Sequence, residues 1–226
     1  MISVVVRTKN EEAWIGRCLH AVASQTYPRF EMIVVDNDST DGTLEIVKRY
    51  DCKLVTIGDK DFTFGRSLNW GIQAASGDYV AIVSGHCIPT NDRWLMALRA
   101  AFSNESIAGV YGRQLPLPDT AANDKRDLWT TFGVERRVQK KEFFFHNANS
   151  MIRRDIWQQV PFDEEISGVE DREWARRVLG RGYEVAYEPA GAVHHYHGIH
   201  HGSNPERSVR VAKVIELINH RGGVHA

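Results

Sequence analysis

The segment Ile2–Val6, "ISVVV", is a short apolar run rich in β-branched residues, the pattern of a strand buried on both faces. After the polar turn "RTKNEE", Trp14, Cys18, Ala21 and Val22 recur at helical spacing. "EMIVV" predicts a second strand and "DNDSTDGT" the turn after it. Ser39 or Thr40 is placed to cap a helix whose apolar stripe includes Leu44 and Val47. "KLVTI" predicts a third strand, Leu68, Ile72 and Ala75 a helix that stops at Gly77, and "YVAIV" a fourth strand before a helix around "WLMALRAAF". Strands alternating with helices across short polar turns predict an α/β domain, a Rossmann-like, mostly parallel sheet with helices on both faces. In such sheets ligands bind beyond the carboxyl ends of the strands, here Arg7-Thr8, Asp36-Asn37 and Ser84-Gly85-His86.

The rest of the pattern is less regular. "EFFFHNANSMIRR" reads as a strand with a polar kink at His146-Asn147, and "GVEDREWARRVLGRGY" as a helix with Trp174 and Val178 on one face. "EVAYEP" reads as a last strand, after which comes the histidine cluster "HHYHGIHH". Val211, Val214, Ile215 and Ile218 mark a further apolar-periodic helix. With 226 residues and no repeat or clear linker, the chain is expected to form a single domain over 1–226, with a first half at 1–112 and a second at 113–226.

Charge and composition narrow the partners. A net charge of −1 argues against bulk electrostatic binding of nucleic acid. No run approaches the ~20 apolar residues of a membrane span, and "MISVVVRTKNEE" has no basic leader. Cys18, Cys52 and Cys87 are widely spaced and odd in number, which fits a reducing cytosol better than a disulfide framework. A cytoplasmic location is therefore expected. The basic stretch at 125–141, with Trp129, Phe132 and Phe143 to Phe145 nearby, suits peripheral contact at the inner membrane face. Such a charge run is more often a solvated helix face. The oligomeric state is left open.

Several polar groups carry candidate chemistry, each beside a plainer reading. Asp36, at a strand end, can accept hydrogen bonds from a ribose hydroxyl or a base imide, or it can serve the turn as Asp38, Ser39 and Asp41 do. Thr8, Asn10 and Glu11 can contact a nucleoside or cap the next helix. "RTKNEE" has neither the GxGxxG of a dinucleotide fold nor a P-loop, which weakens dehydrogenase and NTPase readings. Glu170 and Asp171 stand at a helix start, where acids favour the macrodipole; an Asp titrating near ~4 is also ionised at neutral pH and can take a proton from an alcohol. Within "HHYHGIHH", His195 and His197 would point to the same side of an extended backbone and could face one ion, against the plainer reading of a solvated loop.

Taken in order, "VVVRTKNEE", "EMIVVDNDSTDGT", "GRSLNWGIQAASGDYVAIVSGHCIP" and "GVEDREWARRVLGRGYEVAYEPAGAVHHYH" resemble the family 2 glycosyltransferases of the GT-A fold, in their rhamnosyltransferase-like branch. The resemblance implies an enzyme that transfers a sugar from a nucleotide-sugar donor to a saccharide or lipid-linked acceptor in surface polysaccharide synthesis. It implies a donor half at 1–112, with Arg7, Thr8, Asn10, Asp36, Arg66, Asn69, Ser84 and Gly85 on the nucleotide, and an acceptor half at 113–226. Asp171, next to Glu170, matches the general base of an inverting reaction. His195 and His197 match a region that often supplies a metal ligand.

One departure stands out. The family's metal-binding DxD motif falls on Ser84, Gly85 and His86, which hold no carboxylate. A departing nucleoside diphosphate still needs its charge neutralised. His86 can bind a divalent ion, Mn2+ or a later transition metal, together with His195 or His197. Alternatively, His86 and arginines such as Arg7, Arg66 or Arg207 act without metal, or the site is inactive. A non-catalytic nucleotide- or glycan-binding module and a sugar nucleotidyltransferase are the rival functions.

Overall fold

The computed structural model describes residues 1–166 and 168–196, together with Val209, Ala212, Lys213 and Glu216. His197, Arg207 and the helix expected around Val211–Ile218 lie outside the described residues, apart from those isolated positions.

Nine strands and seven helices are described: β1 (Ile2–Thr8), α1 (Ile15–Ala23), β2 (Phe30–Asp36), α2 (Thr43–Val47), β3 (Lys53–Thr56), α3 (Phe64–Gln73), β4 (Tyr79–Ser84), β5 (Cys87–Pro89), α4 (Trp94–Ala100), β6 (Ile107–Leu115), α5 (Ala122–Thr131), β7 (Arg137–Gln139), β8 (Asn149–Arg153), α6 (Arg154–Gln159), α7 (Glu170–Leu179) and β9 (Glu184–His195). They form one sheet in the order β3-β2-β1-β4-β8-β6-β9-β5, with β7 paired to β9. β3, β2, β1 and β4 run parallel, the expected α/β half; antiparallel β8 then makes the sheet mixed.

Alternation along the strands divides the core between the two faces. Val4, Val6 and Val34 face α1 and α4, packing with Leu19, Val22, Trp94 and Leu98. Val5, Ile33 and Val35 face the other way, in a cluster with Leu68 and Ile72 of α3 and Trp174 and Val178 of α7. Both deeply buried indoles satisfy their N–H: Trp94 donates to Asn149 Oδ1 at 2.9 Å, and Trp174 to the Val160 carbonyl at 2.9 Å.

Three expectations of detail need correction. The strand predicted across 142–153 begins only at Asn149. The preceding aromatic run is an irregular wall in which Phe145 packs on Tyr111 and Trp174, and Phe144 on Phe132. Aromatic side chains favour strands because they fit a half-buried surface, and here side-chain packing supplies that surface without a ladder. Neither Ser39 nor Thr40 caps α2, whose N-cap is Gly42; the Ser39 hydroxyl and the Thr40 N–H both bond Asn10 instead. Finally, the last strand does not stop before the histidines. β9 continues through His194 and His195, so His195 is a strand residue, 2% exposed, rather than part of a solvated loop.

Candidate functional site

Strand register brings the expected groups to one sheet edge. Thr8 lies opposite Asp36, and Arg7 opposite Ser84. The chain then turns tightly: the Gly85 N–H bonds the Arg7 carbonyl at 2.8 Å, and a Cβ at position 85 would lie 2.9 Å from Thr8 Oγ1. Only glycine lets the elbow fold this closely over β1. Asp36 is fully buried; its Oδ2 accepts the Ser39 N–H at 3.0 Å, while Oδ1 has no hydrogen-bond partner. The buried Thr8 hydroxyl beside it is also unpartnered. Unmatched buried oxygens at a strand end are where a ligand's hydroxyl or imide would gain most.

Neighbouring residues build the rim. Asn10 takes a left-handed backbone (φ 50°), and its Oδ1 accepts the Thr40 N–H at 2.8 Å. Glu11 and Glu12 donate their N–H groups to Thr43 Oγ1 and Asp41 Oδ2, which fastens the first loop to the second. The Arg7 guanidinium lies 4.1 Å from the Phe64 ring centre. Arg66 and Asn69 form a brace between α3 and residues 162–164. Arg66 Nε donates to Glu164 at 2.8 Å, and the Asn69 amide bonds Phe162, Glu164 and the Trp157 indole.

Beyond Ser84 the elbow delivers His86. β5 pairs antiparallel with β9, Cys87 opposite His195, so residues 109 apart in sequence meet. His86 Nε2 lies 3.1 Å from His195 Nε2, and the rings are only 16° apart in plane. Each ring is engaged at its other nitrogen: His86 Nδ1 is 2.6 Å from Glu11 Oε1, and His195 Nδ1 is 2.7 Å from Gln114 Oε1. A carboxylate only accepts, so His86 Nδ1 is the donor in this contact, and a neutral ring in that tautomer has its lone pair on Nε2, toward His195. Two nitrogens bound cis at ~2.1 Å from one ion lie ~3.0–3.4 Å apart, so this pair fits a divalent transition metal. Cys87 Sγ lies within 4.8 Å of both rings' nitrogens. Its thiol is wholly buried, and burial pushes its pKa well above the usual value, which makes it a poorer donor than the imidazoles.

The start of α7 presents the two acids. Asp171 is half-buried; its Oδ2 accepts the Asn147 N–H at 3.2 Å and its Oδ1 the Arg172 N–H at 2.8 Å. Glu170 is 4% exposed and accepts the Gly168 N–H. Burial, and then the neighbouring Asp171 charge, push the Glu170 carboxyl up to about 7, with Arg7 pulling the other way. The acids thus differ: one sealed in, one reachable.

Residues 3–160 match the sequence profile described as "Glycosyl transferase family 2". The chain belongs to this family. Among curated family relatives, the glycosyltransferase AglE of Haloferax volcanii is 31% identical over 82% of this chain and 64% of its own length. The O-antigen chain rhamnosyltransferase WbaN of Salmonella anatum is 26% identical over 82% of this chain and 67% of its own length. The chain thus spans about two thirds of these relatives.

Solved structures share the GT-A fold. The mannosyltransferase PcManGT of Pyrobaculum calidifontis, in complex with GDP-Man and Mn2+, superposes with a TM-score of 0.70 at 19% identity, over 96% of this chain and 61% of that one. TarS 1-349 of Staphylococcus aureus, in complex with UDP-GlcNAc, gives 0.67 at 20% identity, over 96% and 66%. Of the two residues behind the imidazoles, Glu11 reads in the sequence as a nucleoside contact or a helix cap, and Gln114 carries no signal of its own. Gln114 sits inside a long buried strand whose pattern marks it as an ordinary interior position, and only the β6–β9 pairing places it behind His195.

Proposed function

We propose that this chain is an inverting glycosyltransferase domain that moves a sugar from a nucleotide-sugar donor to a saccharide or lipid-linked acceptor. The observation that carries the reading is that three groups stand at or beside the carboxyl ends of the strands. These are the unmatched Asp36 carboxylate, the paired imidazoles of His86 and His195, and the reachable Asp171 carboxylate. Family relatives named as glycan-building transferases, and GT-A neighbours carrying GDP-Man or UDP-GlcNAc, support it.

In this reading Asp36 Oδ1 and the Thr8 hydroxyl hold the nucleoside, while Ser84, Gly85 and Arg7 border the diphosphate. Asn10 shapes that pocket through its bond to the second loop, and Arg66 and Asn69 brace the wall at α3. His86 and His195 would hold a divalent ion, Mn2+ or a later transition metal. Such an ion offsets the negative charge that grows on the leaving diphosphate. Asp171 takes the proton from the acceptor hydroxyl, whose oxygen attacks the anomeric carbon opposite the diphosphate, so the anomer inverts. The Asn147 and Arg172 N–H groups hold the carboxylate in place. Glu170 is sealed beneath it and acts by position, not by proton transfer.

A panel of nucleotide sugars tests the reading against a non-catalytic binding module. Wild type is expected to transfer at least one of them, and Asp171→Asn to lose roughly 10²–10⁴-fold in kcat while still binding nucleotide. Full activity in the variant would remove Asp171 as the base. Binding without turnover by wild type across the panel would favour the module.

A further inference from the structure

The elbow at 84–86 holds no carboxylate of its own, yet one reaches it from elsewhere. Glu11, from the loop after β1, places Oε1 2.6 Å from His86 Nδ1, with both side chains largely enclosed (16% and 13% exposed). Its direction is fixed by the backbone. The Glu11 N–H is held by Thr43 Oγ1 at 2.7 Å, and its carbonyl accepts the N–H groups of Trp14 and Ile15 at the start of α1. On the far side Gln114, fully buried in β6, sets Oε1 2.7 Å from His195 Nδ1. The result is a continuous line, Glu11–His86–His195–Gln114, with the two Nε2 atoms facing each other at its centre.

We propose that Glu11 and Gln114 are the positioning residues of this centre. They hold both imidazoles as Nδ1–H tautomers with their Nε2 lone pairs toward one cation, and Glu11 supplies from the first loop the negative charge missing from residues 84–86. This rests on the reading of His86 and His195 as a metal pair. The argument is geometric and electrostatic. With both rings in that tautomer two lone pairs meet across 3.1 Å, a contact that a cation relieves by binding both, where the metal-free pair needs one proton shared between the nitrogens. An acceptor behind a ligating imidazole also raises its basicity, and loss of such a partner typically costs about 10–100-fold in metal affinity.

The test uses Mn2+ alone, titrated against the full chain and followed by the electron-paramagnetic signal of the free ion. The proteins are wild type, Glu11→Gln, Glu11→Ala and Gln114→Leu. Glu11→Ala and Gln114→Leu are expected to bind about 10–100-fold more weakly than wild type. Glu11→Gln, which keeps an acceptor but loses the charge, should fall in between. Equal affinity in all four proteins overturns the proposal. A second readout needs no metal and is blind to a merely structural role: imidazole nitrogen NMR of the metal-free proteins. Wild type should show His86 protonated at Nδ1, and Glu11→Ala should show a mixture of tautomers. If wild type binds no Mn2+, the metal reading fails, and the tautomer spectra decide the positioning claim alone. Identical spectra for wild type and Glu11→Ala would overturn it.

Discussion

Replacing Glu170 with Gln tests the electrostatics of the cleft where the structure makes them most demanding. Glu170 is 4% exposed, and its carboxyl is raised from 4.5 to about 7, first by burial and then by Asp171. In the unfolded chain the same group titrates near its ordinary value. Below about pH 4.5 it is protonated in both states and affects neither. Between about 4.5 and 7 the unfolded chain releases the proton while the folded one keeps it, so stability is lost as pH rises through that window. The rise from 4.5 to about 7, at ~1.4 kcal/mol per pH unit, gives a cost of about 3–4 kcal/mol, fully expressed above about pH 7. Gln retains an oxygen for the Gly168 N–H and never ionises. The difference between Glu170→Gln and wild type should be near zero at about pH 4.5. By about pH 8 it should grow toward about 3–4 kcal/mol, or roughly 7–14 °C in Tm for a chain of this size. Urea unfolding followed by tryptophan fluorescence at a series of pH values measures it, and six tryptophans supply the signal. Parallel stability–pH curves for the two proteins would refute the reasoning.

Two further substitutions probe the strand ends. Asp36→Asn keeps the Ser39 contact but removes the charge from the unmatched oxygen, and calorimetry should show nucleoside diphosphate affinity falling by about 1–2 kcal/mol; unchanged affinity would take Asp36 out of the pocket. Gly85→Ala places a Cβ 2.9 Å from Thr8 Oγ1 and 3.3 Å from the Arg7 carbonyl, so a stability loss of about 1–3 kcal/mol is expected in denaturant melts; wild-type stability would show that the elbow relaxes freely.

The sheet edge was legible in the sequence because short β-branched runs end abruptly in polar residues. β1, β2 and β4 stop at Thr8, Asp36 and Ser84, and parallel pairing must bring those ends side by side. The helix start that carries Asp171 was legible too, since the acids precede a strong apolar period carried by Trp174 and Val178. The surroundings of His86 were not. They depend on β5, a three-residue strand too short to leave a pattern, and on its antiparallel pairing with β9. Nor does any local signal show that β9 would carry past Pro189 into the histidines, because its last residues take their pairing from β5 and from distant β6. Glu11 looked like a helix-start acid by composition, and only tertiary contact turns its side chain toward His86.

The claim that an elbow without acids still forms a metal-assisted diphosphate site is tested most directly by binding. Nucleoside diphosphates titrated calorimetrically into wild type and His86→Ala, with Mn2+ and with chelator, give the answer. The account predicts that Mn2+ tightens binding to wild type by about tenfold or more, and that His86→Ala removes this gain while weaker, metal-free binding persists. Equal affinity for wild type with Mn2+ and with chelator would contradict it.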